Sequence, residues 1–149
     1  MKPIHYNIHL EPDLVNFVFS GLTEIEIDLE NPSEEIILNG KDIIIQKCDV
    51  IQGDILKDCN FDFKEEEEEF TIRLPEQMSG ILKLKLQFTG ILNDHMLGFY
   101  RSKYQYQGET KYLASTQFED REARAAFPCF DHPSKKATFD IEYIIPEEL

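Results

Sequence analysis

Apolar and polar residues alternate along most of this chain, and the alternation predicts β-strands. Between Ile4 and Leu10 every second residue is apolar, and a longer alternation runs from Phe17 to Leu29. Successive side chains of a strand point to opposite faces, so a period of two is typical of strands with one buried face. Shorter stretches with strand-like sequence follow at 35–38, 43–51, 61–63, 70–74, 82–88, 112–115 and 138–145.

Turn signals separate these stretches, and none of them carries a helical period over three turns. Asn31-Pro32-Ser33 and Asn39-Gly40 predict turns, and the acidic run Glu65–Glu69 predicts a solvated hairpin tip. The segment Arg121–Ala126 is long enough for a single helical turn. The pattern therefore predicts an all-β domain, either a β-sandwich or a curved antiparallel sheet.

Length and charge narrow the class of partner. The chain has 149 residues, the size of one domain, and a net charge of −14 from 15 basic and 29 acidic residues. Such a surface repels phosphates, so we expect no nucleic-acid partner and no anionic membrane partner. No apolar run approaches the roughly 20 residues of a membrane helix. A cationic ligand, such as the free amino terminus of a peptide, fits the sign of the charge.

The three cysteines, Cys48, Cys59 and Cys129, are odd in number and widely spaced. This usage predicts free thiols in a reducing compartment rather than a disulfide framework. The residues after Met1 include no long apolar stretch, so we read no secretory signal. Together these features predict a cytoplasmic location.

The most informative segment begins where a predicted strand runs into Gln117 and Glu119. The period of two places both polar side chains on one face and turns Phe118 toward the core. The following loop is expected to pack three aromatic residues and to be stiffened by prolines; these residues are Phe127, Phe130, Phe139, Pro128 and Pro133. From spacing alone, either a rigidly held recognition carboxylate or an ordinary solvated strand end remains open.

Four short motifs in this region resemble a known family. They are Gly98-Phe-Tyr-Arg-Ser102, Thr116-Gln-Phe-Glu119, Ala126-Phe-Pro-Cys-Phe-Asp-His-Pro133 and Lys136-Ala-Thr-Phe139. In these motifs the chain is similar to the N-terminal domain of aminopeptidase N-like zinc metallopeptidases, in particular the tricorn-interacting and cytosolic aminopeptidases. The resemblance implies that residues 1–149 are a saddle-like, antiparallel β-sandwich domain whose catalytic domain is absent from this chain.

The same resemblance assigns roles to two residues. Glu119 is expected to bind the α-ammonium group of a peptide substrate, and Gln117 to line the first specificity pocket. The implied partners are a peptide N-terminus and the catalytic domain of the same full-length chain. The family also has a cis peptide bond after this glutamate, so the resemblance implies one between Glu119 and Asp120.

The resemblance implies zinc in the full-length enzyme but none bound by this chain. The family's catalytic helix carries an H-E-x-x-H motif, whose histidines bind the metal and whose glutamate acts as general base. None of the four histidines here stands in that motif. His5 and His9 lie four apart on a predicted strand, which separates them by roughly 13 Å. We therefore expect no catalytic residue, no metal site and no peptidase activity in this chain alone.

Two alternatives and one further expectation remain. A free-standing β-sandwich binding module without peptidase function would use exposed tyrosines such as Tyr100, Tyr104 and Tyr106 for stacking, although packing within strands is the commoner role. An isolated domain would also expose the face that packs on its neighbour and would self-associate. Finally, Pro146 followed by two glutamates is typical of the start of a hairpin turn, so we expect a return strand beyond this chain.

Overall fold

The computed structural model describes residues 1–146 and confirms the all-β class. The expected hairpin turn after Pro146 falls on residues 147–149, outside the described residues. The elements, in chain order, are β1 (Lys2–Asp13), β2 (Val18–Asn39), β3 (Ile43–Gln52), β4 (Ile55–Asp58), β5 (Asn60–Lys64), β6 (Glu69–Ile91), β7 (Gly98–Tyr106), β8 (Glu109–Gln117), a 3-10 helix η1 (Ala123–Ala125) and β9 (Thr138–Tyr143).

The described strands form two sheets. A seven-stranded sheet has the order β4-β3-β6-β2-β1-β9, with β5 pairing with β6, and a two-stranded sheet contains β7 and β8. The prediction of antiparallel pairing holds for every described pair except one, because β9 runs parallel to β1. A parallel pair needs a long connection, and β9 reaches its position after the chain has passed through most of the domain.

Two strands are longer than the sequence predicts. The separate stretches 17–29 and 35–38 are parts of β2, which continues through the predicted turn at Asn31-Pro32-Ser33. Its pairing with β6 shifts register between Leu29 and Ser33, so the proline sits at a bulge. Proline is tolerated there because a bulge leaves a backbone N–H position unpaired. The stretches 70–74 and 82–88 are likewise joined within β6.

The two sheets share one apolar core, as the layers of a β-sandwich do. Phe99 of β7 is buried and packs edge-on against Phe19 of β2, with ring centroids 5.1 Å apart. Phe19 in turn meets Phe88 of β6 at 6.4 Å. These edge-to-face contacts fix the second sheet on the first.

Beyond this contact, the β7–β8 hairpin extends into solvent. Tyr104 and Tyr106 are exposed, so the expectation that these tyrosines pack within the strands is wrong for both. The hairpin is held at its base by Phe99 in the core and by Tyr112, whose ring meets Phe17 edge-on with centroids 4.8 Å apart.

Candidate functional site

Gln117 is the last residue of β8 and pairs with Gly98, the first residue of β7. Gln117 and Glu119 are both exposed, whereas Phe118 between them is partly buried and meets the Phe127 ring edge-on, with centroids 5.9 Å apart. The predicted division of the three side chains is therefore confirmed. The Gln117 side-chain oxygen accepts a hydrogen bond from the Glu119 backbone N–H at 3.2 Å, which ties the two residues together.

The peptide bond between Glu119 and Asp120 is cis, as the resemblance implies. The chain then turns tightly, with the Glu122 N–H donating to the Phe118 carbonyl at 3.0 Å and the Ala126 N–H to the Ala123 carbonyl at 2.9 Å. The predicted single helical turn is confirmed as the 3-10 helix η1. Glu119 is thus placed between the end of a strand and a compact turn.

Arg124 of η1 anchors this turn through buried ion pairs. Its side chain is 2% exposed, and its guanidinium donates to the Asp131 carboxylate at 2.9 Å and to the Glu68 carboxylate at 3.1 Å. Burial alone would disfavour the charged form, but the hydrogen bond and charge of Asp131, with those of Glu68, raise the pKa of Arg124 above its usual range. The buried cation is therefore fully paired.

The end of β2 holds the same segment through its backbone. Asn39 and Cys129 exchange two backbone hydrogen bonds, at 2.7 and 3.1 Å, and the Asn39 side chain accepts from the Asp131 N–H at 3.1 Å. Lys41 donates its backbone N–H to the Arg124 carbonyl at 3.0 Å and its ammonium to Glu122 at 3.2 Å. The loop is thus fixed to the main sheet on both sides of η1.

Tyr6 of β1 makes a third anchor. Its hydroxyl accepts a hydrogen bond from the Phe130 N–H at 3.1 Å, and its ring stacks on Phe139 with centroids 4.8 Å apart. Burial raises the pKa of Tyr6 well above its usual value, so the phenol stays neutral. The expected packing of the aromatic loop is confirmed for the buried Phe127 and the partly buried Phe130. Phe139 lies on the edge strand β9 rather than in the loop, and it packs on Tyr6 through one face while remaining 49% exposed.

Two residues of the motif 98–102, Gly98 and Arg101, make contacts that hold the base of β7. Gly98 has φ +69°, and a Cβ atom there would lie 2.6 Å from Ala125 Cβ, so η1 rests directly on the base of β7. Arg101 donates to the Leu92 carbonyl, pairs with Asp94 at 3.2 Å and lies 4.4 Å from the centroid of the Phe17 ring. These residues position the strand that pairs with Gln117.

Sequence reasoning missed the residues that hold the site. Glu68 belongs to the acidic run predicted to be a solvated tip, and the run does form the β5–β6 turn. Glu68, however, turns back onto Arg124, and its carbonyl accepts from the Gly40 N–H at 2.9 Å. The only sequence signal was Arg124 itself, a charged residue between alanines and close to a phenylalanine-rich stretch.

The surface around Gln117 and Glu119 is open. A neighbouring cleft of about 270 Å³ lies beside η1, and its lining includes Asp120, Phe127 and His132 but neither Gln117 nor Glu119. Both side chains are therefore exposed outside this cleft.

The described residues do not fit a zinc ion. Among residues 1–146, no three His, Cys, Asp or Glu side chains are grouped closely enough to hold a metal. His5 and His9 instead face β9, where their rings lie 3.4 Å from Asp140 and 2.7 Å from Glu142. Within the same residues, no helix has the length and apolar character needed to span a membrane.

Comparison with known proteins places these features in context. The family model described as "Peptidase M1 N-terminal domain" matches residues 2–149. Aminopeptidase M1-D of Oryza sativa subsp. japonica is 40% identical over 149 residues, covering 99% of this chain and 17% of the relative. Aminopeptidase 2, mitochondrial, of Saccharomyces cerevisiae is 41% identical over 157 residues, covering 99% of this chain and 16% of the relative.

Puromycin-sensitive aminopeptidase of Caenorhabditis elegans is 39% identical over 152 residues, again covering 99% of this chain and 16% of the relative. The chain thus spans about a sixth of the length of these curated relatives.

Proposed function

Because this chain belongs to the peptidase M1 family, we propose that it is the N-terminal domain of a larger zinc aminopeptidase and that it recognises the free amino terminus of the peptide substrate. In this proposal Glu119 binds the α-ammonium group and Gln117 lines the first specificity pocket. Zinc and the groups that cleave the peptide bond belong to the catalytic domain of the same polypeptide.

The observation that carries the proposal is the way Glu119 is held. Its carboxylate is exposed, yet its backbone lies between the end of β8 and the η1 turn, and its N–H is bound by Gln117. A carboxylate with a fixed backbone loses little conformational freedom when it binds, so more of the ion-pair energy appears as affinity. A charge-assisted hydrogen bond to an ammonium group is also strong and directional.

An amine-binding carboxylate explains exopeptidase selectivity in physical terms. When the site is covered by the catalytic domain, a peptide with a blocked amino terminus leaves Glu119 desolvated without a partner. A buried unpaired charge is expensive, and such a substrate is rejected by far more than the loss of one contact. Gln117, beside Glu119, is placed to contact the first side chain of the same peptide.

The exposed face of β9 supports a second domain as partner. Phe139, Ile141 and Tyr143 are each between 47% and 49% exposed, on the edge strand of the sheet. Contiguous apolar residues on an edge strand usually pack against something. We propose that this face meets the catalytic domain. The isolated chain should then self-associate in sedimentation experiments at high concentration, and a clean monomer would argue against this use of the face.

The direct test replaces Glu119 by glutamine in the full-length protein. A charge-assisted hydrogen bond contributes about 1.5–3 kcal/mol, and each 1.4 kcal/mol is about tenfold. The variant should therefore lose about 10- to 100-fold in kcat/KM on peptides with a free amino terminus. Asp120→Asn removes the neighbouring exposed carboxylate and serves as the matched control, with little expected change.

Blocked substrates complete the test. The wild-type enzyme should discriminate strongly against N-acetylated peptides, and Glu119→Gln should reduce that discrimination because it no longer leaves a charge unpaired. If both variants lose activity equally, or if discrimination is unchanged in Glu119→Gln, Glu119 does not bind the amine. Gln117→Ala should instead alter the preference among first residues while sparing the discrimination against blocked peptides.

The domain assignment has its own test. An antibody to this domain should detect a polypeptide far larger than 17.4 kDa in source extracts, and the isolated 149-residue chain should release no amino-terminal residues from peptides. A native product of the size of this chain would favour the free-standing module. A cytoplasmic location is proposed from the three free cysteines, which are typical of a reducing compartment.

A further inference from the structure

Two of the three cysteines are backbone neighbours far from Glu119 in the chain: Cys48 lies in β3, and Cys59 is the residue between β4 and β5. The β3–β4 pairing includes Asp49 opposite Asp58, and continuing it by one residue places Cys48 opposite Cys59. The Cys59 N–H donates to the Cys48 carbonyl at 2.8 Å, which confirms that the two backbones are directly paired at this position. Residues directly opposite each other on antiparallel strands point to the same face of the sheet, and both cysteines are buried.

Backbone pairing of this kind brings two Cα atoms within the range that a disulfide spans. Residues that share a backbone hydrogen bond across antiparallel strands have Cα atoms about 5.5 Å apart. Disulfides join Cα atoms about 4.4–6.8 Å apart. Both cysteines are nevertheless free in the structure.

We propose that Cys48 and Cys59 form a reversible oxidation site, at which a hydroperoxide converts the two thiols into an intramolecular disulfide that links β3 to the end of β4. Nothing in the proposed recognition of peptides uses these residues. The inference therefore stands on the cysteine pair alone and does not depend on the role of Glu119.

The two sulfurs are chemically unequal. The adjacent Cys48 thiol lowers the pKa of Cys59, whereas the Cys59 thiol and burial raise the pKa of Cys48. Cys59 is therefore the better nucleophile and Cys48 the proton donor, since the thiolate is the reactive form. Cys59 is 7% exposed and follows the segment 53–58, which is exposed except for the half-buried Lys57, and local opening there gives a small peroxide access.

The chemistry balances in two steps. The Cys59 sulfur attacks one peroxide oxygen, the O–O bond breaks, and one water leaves as Cys59 becomes a sulfenic acid. The Cys48 sulfur then attacks the Cys59 sulfur, and the sulfenic oxygen leaves as a second water with the Cys48 proton. The two thiols lose two electrons and two protons, and one hydrogen peroxide is reduced to two waters. A thiol reductant returns the Cys48–Cys59 disulfide to two free thiols by thiol–disulfide exchange.

Cys129 provides an internal comparison. It is buried at 4% exposure, and burial raises its pKa well above the usual value. Its backbone is paired with Asn39 rather than with another cysteine. A buried thiol of high pKa is unreactive, so oxidation should select the Cys48–Cys59 pair over Cys129.

Peptide mapping of the full-length protein tests the proposal. Trypsin cleaves after Lys47, Lys57 and Lys64, so Cys48 and Cys59 fall in separate peptides, 48–57 and 58–64. After brief treatment with hydrogen peroxide, alkylation of free thiols and digestion without reductant, we expect these peptides to be joined, with a mass two hydrogens below their sum. Dithiothreitol added before alkylation should abolish the joined species.

Variants identify the order of the steps. In Cys48→Ser a sulfenic acid should accumulate on Cys59 and react with dimedone, whereas in Cys59→Ser position 48 should stay a free thiol. Cys129→Ser should form the disulfide as the wild type does. Wild-type mapping decides the matter even if a variant fails to fold.

Three outcomes would overturn the proposal. They are alkylation of both cysteines after peroxide treatment, passage of Cys59 to sulfinic acid with Cys48 still free, and a linked peptide that is already complete before treatment and resists reductant.

Discussion

The central sheet and the segment from Phe118 to Asp131 are held together by different kinds of contact. In the sheet, β2 pairs with β6 over most of its length, and fully buried residues such as Ile25, Leu84 and Leu86 fill one face. In the segment, irregular backbone is fixed by a buried arginine and by hydrogen bonds to β1 and β2. Stability in the first region is spread over many contacts, and in the second it depends on a few.

This difference suits a recognition loop. Irregular backbone allows Glu119 to project from a strand end at an angle that a regular sheet does not offer, but each unpaired backbone group must find a partner. Side chains from distant parts of the chain supply those partners. The two regions should therefore respond differently to substitution, and the comparison can be tested one anchor at a time.

Among substitutions in the segment from Phe118 to Asp131, the largest effect is expected from Arg124→Ala. Removing one partner of a buried ion pair leaves the other uncompensated, which costs about 3–5 kcal/mol. Asp131 is 12% exposed and Glu68 34%, so we expect a value near the lower end, about 3 kcal/mol. Urea unfolding followed by circular dichroism measures it. Arg121→Ala, an exposed arginine three residues earlier, should change stability by less than about 0.5 kcal/mol.

Leu84→Ala provides the corresponding measurement in the central sheet. Leu84 is fully buried, and truncating it should cost about 2–5 kcal/mol through the cavity left behind. Thus a single charged residue of the loop should match a central core residue of the sheet. If Arg124→Ala costs no more than Arg121→Ala, the loop is held by its backbone contacts and the contrast between the two regions fails.

Gly98→Ala should have the next largest effect. The substitution adds a Cβ that would lie 2.6 Å from Ala125 Cβ, and it does so at φ +69°. Overpacking and backbone strain together should cost about 2–3 kcal/mol. Gly108→Ala in the β7–β8 turn is a matched control, because Gly108 has φ +85° but no atom within 4 Å of the added Cβ. The control should cost about 1 kcal/mol, from strain alone.

The difference between these two glycine variants isolates the contact between η1 and β7. If both variants lose the same free energy of unfolding in the urea titration, η1 moves away from β7 easily. The turn that carries Glu119 is then not rigidly packed on the strand. A larger cost for Gly98→Ala would show that the turn and the strand end form one rigid unit.

Tyr6→Phe should have a smaller effect. The change leaves the ring stacked on Phe139 but removes the hydroxyl that accepts from the Phe130 N–H. An unsatisfied, partly buried N–H costs about 1–2 kcal/mol. Tyr104→Phe, at an exposed position of β7, should be close to neutral. Hydrogen exchange provides a second measurement, because Phe130 should lose protection in Tyr6→Phe whereas amides of β2 and β6 keep theirs. Loss of protection throughout the sheet would contradict the separation of the two regions.

Most of the sheet could be predicted from the sequence, because the period of two is a local property that each strand carries in its own residues. The positions of β1 and β3, and of the separate stretches that make up β2 and β6, followed from this period. What periodicity could not show was the joining of stretches across the Pro32 bulge, or the parallel placement of β9 beside β1, since both depend on contacts between distant residues.

The residues of the site also differ in how far they could be predicted from local sequence. Gln117 and Glu119 were found from local alternation and from short motifs. Their supports lie elsewhere in the chain, with Asn39 and Tyr6 far upstream and Glu68 56 residues before Arg124. A run of five glutamates is usually solvated, and nothing local distinguishes the one that turns inward.

Glu68→Gln therefore gives the smallest but most selective test. Glu68 is one-third exposed and shares Arg124 with Asp131, so losing its charge should cost about 0.5–1 kcal/mol. Glu66→Gln, at an exposed position of the same turn, relieves repulsion among like charges and should be neutral or slightly stabilising. The gap between the two variants should persist in 1 M salt, because a partly buried pair is screened less than exposed charges. If the gap disappears with salt, Glu68 is only another surface charge, and Asp131 is the carboxylate that holds Arg124.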